Sequence, residues 1–354
     1  MTNKNPTIDI AKGIAIILVV YGHVIEHSMT PLFFQNFFQN PVFKLIYTFH
    51  MPLFVFISGY LMAGSLSRHS IDDVFKSRFK SLFIPFVVLA ALCAILTTVL
   101  NIVFGNHAAR VDIVGDLANQ LFFKPSVWFL LTLFALSSVL IYSVKLERRF
   151  GGIVFAGIYF LLMIIPYTND GVLYYTKWFY LFYLAGYFFH RYHVKIPDPA
   201  TITMIVLGSL ALFTWMLTYW TTGDYIYINK MNFVSSHYIG ELLRLMYRYL
   251  MGFLGIVLAF YLAACLLKTK MASFFELIGV YSMDIYIIQM LLVEGLYPRF
   301  ISKTHIHLDL NSPHILYIIA PVITMFFIGI CLLISRQWIR KNQLLNQLLL
   351  GGRT

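Results

Sequence analysis

The chain has 354 residues; 60% are hydrophobic and 12% charged, with a net charge of +11 and a mean hydropathy of +0.77. Soluble domains carry about 25% charged residues, and a soluble fold of this length cannot hide so much apolar surface. A water-soluble protein is excluded, and an all-α polytopic membrane protein follows. The three cysteines, Cys93, Cys265 and Cys331, lie in apolar runs without short spacing, which argues against a disulfide framework or a zinc knuckle.

A crossing helix needs about 20 mostly apolar residues. Ten such segments are predicted, at about 8–27, 41–62, 82–104, 125–144, 151–167, 174–190, 200–219, 242–267, 274–296 and 314–334. The fifth and sixth are short. Pro31 and Pro41 flank the first turn, Asn169-Asp170-Gly171 marks a later one, and Pro197 and Pro199 precede the seventh helix. No small-x-small cleavage site follows the first apolar segment, which contains Asp9 and Lys12; it is expected to stay in the mature protein. With the N-terminus in the cytoplasm, inner segments hold 16 Lys and Arg against 6 outside. This is the positive-inside bias; the charge is topological and no nucleic-acid partner is expected. There is no internal repeat and no long linker, so residues 1–354 read as a single membrane-embedded domain.

Ionisable residues inside spans are expensive and therefore point to function. The first helix is the richest. Lys12 and His23 are 11 residues apart, so they share a face roughly 16 Å apart along the axis. Asp9 lies one turn before Lys12 and can pair with it. A neutral imidazole at His23 can act as a general base on a hydroxyl; a helix–helix hydrogen bond at the same position is the structural alternative. His50 precedes Pro52, which removes a backbone donor and is expected to kink the second helix. Arg244 and Arg248 are one turn apart, with Glu241 one turn earlier. They either hold an anionic group of an acceptor, or form a Glu241–Arg244 ion pair beside a snorkelling Arg248.

His23-Val24-Ile25-Glu26-His27 spells H-x-x-E-H, a zinc-protease spelling. It lies at the outer end of a membrane helix, and no downstream glutamate has supporting context. No metal is expected, and Glu26 is assigned to orient His23 or to cap the outer mouth.

The Asp9, Lys12, His23 pattern resembles the first helix of the acyltransferase-3 family of membrane acyltransferases. Phe49-His50-Met51-Pro52-Leu53-Phe54 with Ser58-Gly59-Tyr60-Leu61 resembles its second helix. Weaker echoes follow in Val127-Trp128-Phe129-Leu130, Tyr183-Leu184-Ala185-Gly186-Tyr187 and Ser282-Met283-Asp284-Ile285-Tyr286. Two departures stand out. The family's Arg-x-x-Arg in the first inner loop is Arg78-Phe79-Lys80-Ser81 here, and Gln289 stands where many relatives carry histidine.

The resemblance implies an O-acyltransferase of a bacterial inner membrane, with cytoplasmic acyl-CoA, in particular acetyl-CoA, as donor substrate and no bound cofactor. The acceptor is a hydroxyl of a surface polysaccharide or its lipid-linked precursor. His23 is the base or the covalent carrier, with Asp9 and Lys12 as the other catalytic residues; Lys12 either binds the donor near the inner mouth or tunes the field along the helix. Lys76, Arg78 and Lys80, in an inner loop from Arg68 to Lys80, meet the CoA phosphates. His50, Glu26, Arg244 and Arg248 face the acceptor. A transporter or exporter of a lipid-linked sugar is the competing reading; its buried His, Lys and Arg would be coupling or binding residues.

The charge bias predicts cytoplasmic N- and C-termini. A reporter fused after Thr354 should give a cytoplasmic signal; a periplasmic one would overturn the even number of crossings.

Overall fold

The computed structural model describes residues 5–28, 37–104, 113–118, 120–121, 127–165, 171–195, 197–228, 238–304 and 312–352. Pro31, Asn169, Asp170 and the counted cations Lys4, Arg110, Lys124, Lys230 and Arg353 lie outside the described residues. Among the described residues there are helices and no strands. A bilayer core supplies no water to backbone N–H and C=O groups, and a helix pairs these groups within its own segment.

The helices are α1 (Pro6–Ser28), α2 (Pro41–Leu66), α3 (Ile71–Arg78), α4 (Ile84–Phe104), α5 (Ile113–Ala118), α6 (Trp128–Phe150), α7 (Ile153–Ile164), α8 (Val172–Arg191), α9 (Pro199–Thr218), α10 (Tyr238–Leu266), α11 (Ala272–Val280), α12 (Ser282–Leu291), α13 (Tyr297–Thr304), α14 (Ala320–Ile334) and α15 (Gln343–Leu350). The predicted spans fall on helices, with 274–296 split between α11 and α12. Among the described residues, seven helices are long and apolar enough to cross a membrane. An eighth crossing is a broken one, bent by 64° between Ala272–Val280 and Ser282–Thr304. α7 has 12 residues, about 18 Å at 1.5 Å per residue, which falls short of a 30 Å hydrocarbon core. α8 is long enough, but it carries Lys177, His190 and Arg191. The figure of ten crossings is therefore approximate.

One expectation changes. The inner loop from Arg68 to Lys80 is largely helical. Ser70 caps α3 by accepting from the Asp73 N–H at 3.2 Å, with Asp72 and Asp73 in the first turn where the helix dipole favours acids. A π-turn over Phe79–Phe83 joins α3 to α4. α2 continues as one helix through Pro52.

Contacts divide the chain into two compact units: Met1–Tyr47, Ile84–Val127 and Leu262–Thr354 in the first, Thr48–Phe83 and Trp128–Tyr261 in the second. In the first unit α1 packs on α11, α12 and α14. Glycines make the α1–α11 approach possible. A Cβ on Gly13 would collide with the Phe275 carbonyl, and one on Gly279 with the Asp9 carbonyl. Small residues at such crossings let backbones meet where no hydrophobic force drives helices together. Below them, Asp284 is 1% exposed and accepts from Arg340 Nε at 2.8 Å, Arg340 Nη2 at 3.2 Å and the Ser335 hydroxyl at 2.5 Å. This fully bonded carboxylate ties α12 to the π-turn over Ser335–Ile339.

In the second unit α2 and α8 cross in the same manner. A Cβ on Gly59 would meet the Tyr183 carbonyl, and one on Gly186 the Phe56 carbonyl. α6 and α8 run parallel, with Trp128 stacked on Tyr175 at 4.2 Å, Ser137 bonded to Tyr183 at 2.9 Å and Arg191 paired with Glu147 at 2.7 Å.

Gly279→Val should cost at least about 1–3 kcal/mol, the usual penalty of overpacking, because the obstacle is backbone. Gly208→Ala, where nothing lies within 4 Å of the added Cβ, should be neutral or slightly stabilising. Thermal unfolding in detergent measures both; equal melting points would remove the α1–α11 contact from the fold.

Candidate active site

α1 places Asp9, Lys12 and His23 as the periodicity requires. Lys12 Nζ lies 2.6 Å from Asp9 Oδ1, so the lysine is neutralised within its own helix. His23 sits toward the other end. Its Nδ1 is 2.6 Å from Glu294 Oε1 and 3.0 Å from Gln289 Oε1. Both of these oxygens are acceptors, so Nδ1 must carry the hydrogen. The shorter contact, to a carboxylate, is the stronger bond. Nε2 is left as the nitrogen open to proton transfer or attack.

Glu294 is the residue that sequence reasoning missed. It lies in the predicted span 274–296, and a carboxylate in an apolar span is a signal in its own right. The face it uses was hidden. In an unbroken α-helix, positions 289 and 294 point about 140° apart. Here Leu292–Leu296 forms a π-turn, which brings position i+5 back over i. Gln289 and Glu294 therefore reach the same imidazole nitrogen. Gln289, fully buried, is the position where the family resemblance places a histidine.

The second half of H-x-x-E-H joins this cluster. His27 Nε2 lies 3.2 Å from the same Glu294 oxygen without hydrogen-bond alignment. The two imidazole rings are 6.4 Å apart. Glu26 accepts from the Tyr47 hydroxyl at 3.3 Å, and the Tyr47 ring fills the space that a Cβ on Gly22 would enter, 2.7 Å away. Glu26 is thus held by Tyr47 and has no direct bond to His23. The downstream glutamate that the zinc spelling lacked is Glu294, and ligand atoms of Glu26, His27 and Glu294 lie within 4.8 Å of one another. Zinc takes four ligands at about 2.0–2.3 Å. To reach that geometry these groups must close up, and Glu294 must leave His23.

The other predicted residues are placed separately. His50 is buried on α2, 2% exposed. Lys76 and Lys80 are exposed, whereas Arg78 donates to the Ser65 hydroxyl at 3.4 Å. Arg78 lines a cleft of about 270 Å³ with Ser65, His69, Asp73, Val74 and Ser77. The three cations do not converge. Arg244 stands between Asp224 at 3.4 Å and Glu241 at 3.6 Å. Arg248 does not snorkel, contrary to one expectation. It is 1% exposed, donates to the carbonyls of Gly223 at 3.0 Å and Tyr225 at 3.4 Å, and lies 5.7 Å from the Trp178 ring centroid. Backbone carbonyls and an aromatic face solvate the guanidinium in place of water.

A family model described as an acyltransferase domain matches residues 5–345. Among characterised sequences, the chain is 32% identical over 243 residues to the nodulation protein NolL of Sinorhizobium fredii, covering 64% of this chain and 60% of that one. It is 29% identical over 233 residues to the NolL of Mesorhizobium japonicum, covering 64% and 59%. The matched region spans about three-fifths of the length of these relatives. No solved structure gives a significant match.

If the carboxylate of Glu294 serves His23, purified protein should contain no stoichiometric transition metal by elemental analysis. A stoichiometric ion that is lost in both Glu26→Gln and His27→Ala would reassign the cluster to metal binding.

Proposed function

Because the chain belongs to the acyltransferase-3 family of membrane acyltransferases, we propose that it is an O-acetyltransferase using cytoplasmic acetyl-CoA. The acceptor is a hydroxyl of a cell-surface polysaccharide or of its lipid-linked precursor. The protein sits in a bacterial inner membrane with both termini in the cytoplasm, and α1 carries His23 toward the outer side.

The observation that carries this reading is the convergence of Glu294 and Gln289 on Nδ1 of His23. It fixes the tautomer and aims the chemistry through Nε2. As a base, Nε2 takes the proton of the acceptor hydroxyl while that oxygen attacks the thioester carbonyl. The C–S bond breaks, and the CoA thiolate leaves and is protonated. The carboxylate of Glu294 stabilises the imidazolium that forms. In the covalent route, Nε2 attacks the thioester carbonyl, the C–S bond breaks and the CoA thiolate leaves; the acceptor oxygen then attacks the acetyl carbonyl, the C–N bond breaks and the hydroxyl proton passes to Nε2. The same tautomer serves both routes. The paired Asp9 and Lys12 tune the field along α1 from its inner end. Arg78 meets the donor phosphates, with Lys76 and Lys80 adding longer-range attraction. On the acceptor side, Glu26 caps the outer mouth, and His50, Arg244 and Arg248 shape the acceptor region.

Purified protein should release free thiol from acetyl-CoA when a glycan acceptor is present. A transporter of lipid-linked sugar would not. His23→Ala should insert normally and lose about 10²–10⁴-fold in rate, the span for a lost general base. Glu294→Gln, which can still accept from Nδ1 but offers no charge, should lose less than His23→Ala, and Glu294→Ala more than Glu294→Gln. Near-normal glycan acetylation in His23→Ala at matched protein level, read by mass spectrometry, would sink the assignment.

A further inference from the structure

We propose that a second cleft, at the cytoplasmic ends of α2, α6 and α8, binds a phosphate of the acyl-CoA donor, an inference that rests on the donor reading above. The cleft measures about 440 Å³. Its polar lining is Glu147, Arg148, Tyr187, His190, Arg191 and His193, with Ser67 at the end of α2. Its charge is unbalanced. Glu147 is the one lining carboxylate, and it is already bonded to Arg191 at 2.7 Å. Arg148 has no carboxylate partner among the described residues. The aliphatic and aromatic parts of the lining, Ala63, Leu66, Val144 and the Tyr187 ring, leave room for an organic body behind the phosphate.

A further observation points to a ligand. His193 has φ of 46°. A non-glycine residue in this left-handed region is uncommon, and the position just past a helix end is where glycine is normally preferred. Glycine would relieve the backbone strain. A histidine there gives up that relief to keep an imidazole facing the cleft, beside His190 at 6.2 Å between ring centroids. The ordinary alternative is that these cations only complement three helix C-termini and set topology. That account explains Arg148 and Arg191, but it does not call for a strained histidine.

The test uses full-length protein in phosphatidylcholine nanodiscs, with CoA as the probe and calorimetry as the readout. Arg148→Gln with His193→Gly should weaken CoA binding at least about tenfold, since one charge-assisted hydrogen bond is worth about 1.5–3 kcal/mol. The loss should shrink as salt rises. His193→Gly alone should weaken CoA binding while the melting temperature holds or rises. Equal CoA affinity in the wild type and the double variant would overturn the site. Wild-type protein that binds no CoA would overturn the donor reading itself and the site with it. A double variant that keeps CoA affinity but loses co-purifying phosphatidylglycerol would assign the phosphate to a lipid headgroup and overturn the donor assignment.

Discussion

Hydrocarbon does not solvate charge, and most of this structure follows from how each buried ionisable group is satisfied without water. Lys12 is neutralised by Asp9 one turn away. Asp284 takes three donors from Ser335 and Arg340. Arg248 rests on two carbonyls and an indole face. Each of these settles its own charge within the protein. His23 differs. Glu294 and Gln289 satisfy Nδ1 and leave Nε2 uncommitted. A reaction needs this asymmetry, a group fixed on one side and free on the other.

The geometry around Glu294 has its own physical cause. α12 begins after a 64° break at Tyr281 and ends in a π-turn. Irregular backbone is tolerated at membrane depth where protein buries it, and π-turns recur at functional sites. The π-turn rotates one carboxylate onto the face already used by Gln289. The glycines of α1 and α11 then bring the two helical segments close enough for rigid contact. A carboxylate held by rigid elements restricts the imidazole to one tautomer and one orientation, which is how preorganised sites lower barriers.

The ends of α2, α6 and α8 around Arg148 and His193 are governed by a different balance. There, water and headgroups solvate cations, so arginines and histidines can gather at helix C-termini at little cost. Gathering alone carries no function. The unbalanced lining around Arg148 and His193 and the left-handed backbone of His193 separate that cleft from ordinary topological charge. The same comparison singles out Arg78, which faces a cleft, from Lys76 and Lys80, which face solvent.

Composition and hydropathy determined the membrane class, the helical fold and the place of most predicted spans, because length and apolarity decide what can cross a bilayer; the break between α11 and α12 was not legible there. The 3.6-residue period placed Asp9, Lys12 and His23 on one face, and the ordered motifs pointed to the acyltransferase-3 family. Local pattern could not reach further. Glu294 meets His23 only because a π-turn breaks the helical period between positions 289 and 294, and periodicity cannot show a break in itself. Arg248 reads as a snorkelling arginine until Gly223, Tyr225 and Trp178 are seen around it. Lys76, Arg78 and Lys80 read as one cluster because they are neighbours in sequence, yet α3 is a helix that continues toward α4, and it turns Arg78 to another face. These outcomes depend on contacts between segments far apart in the chain, and only the tertiary structure decides them.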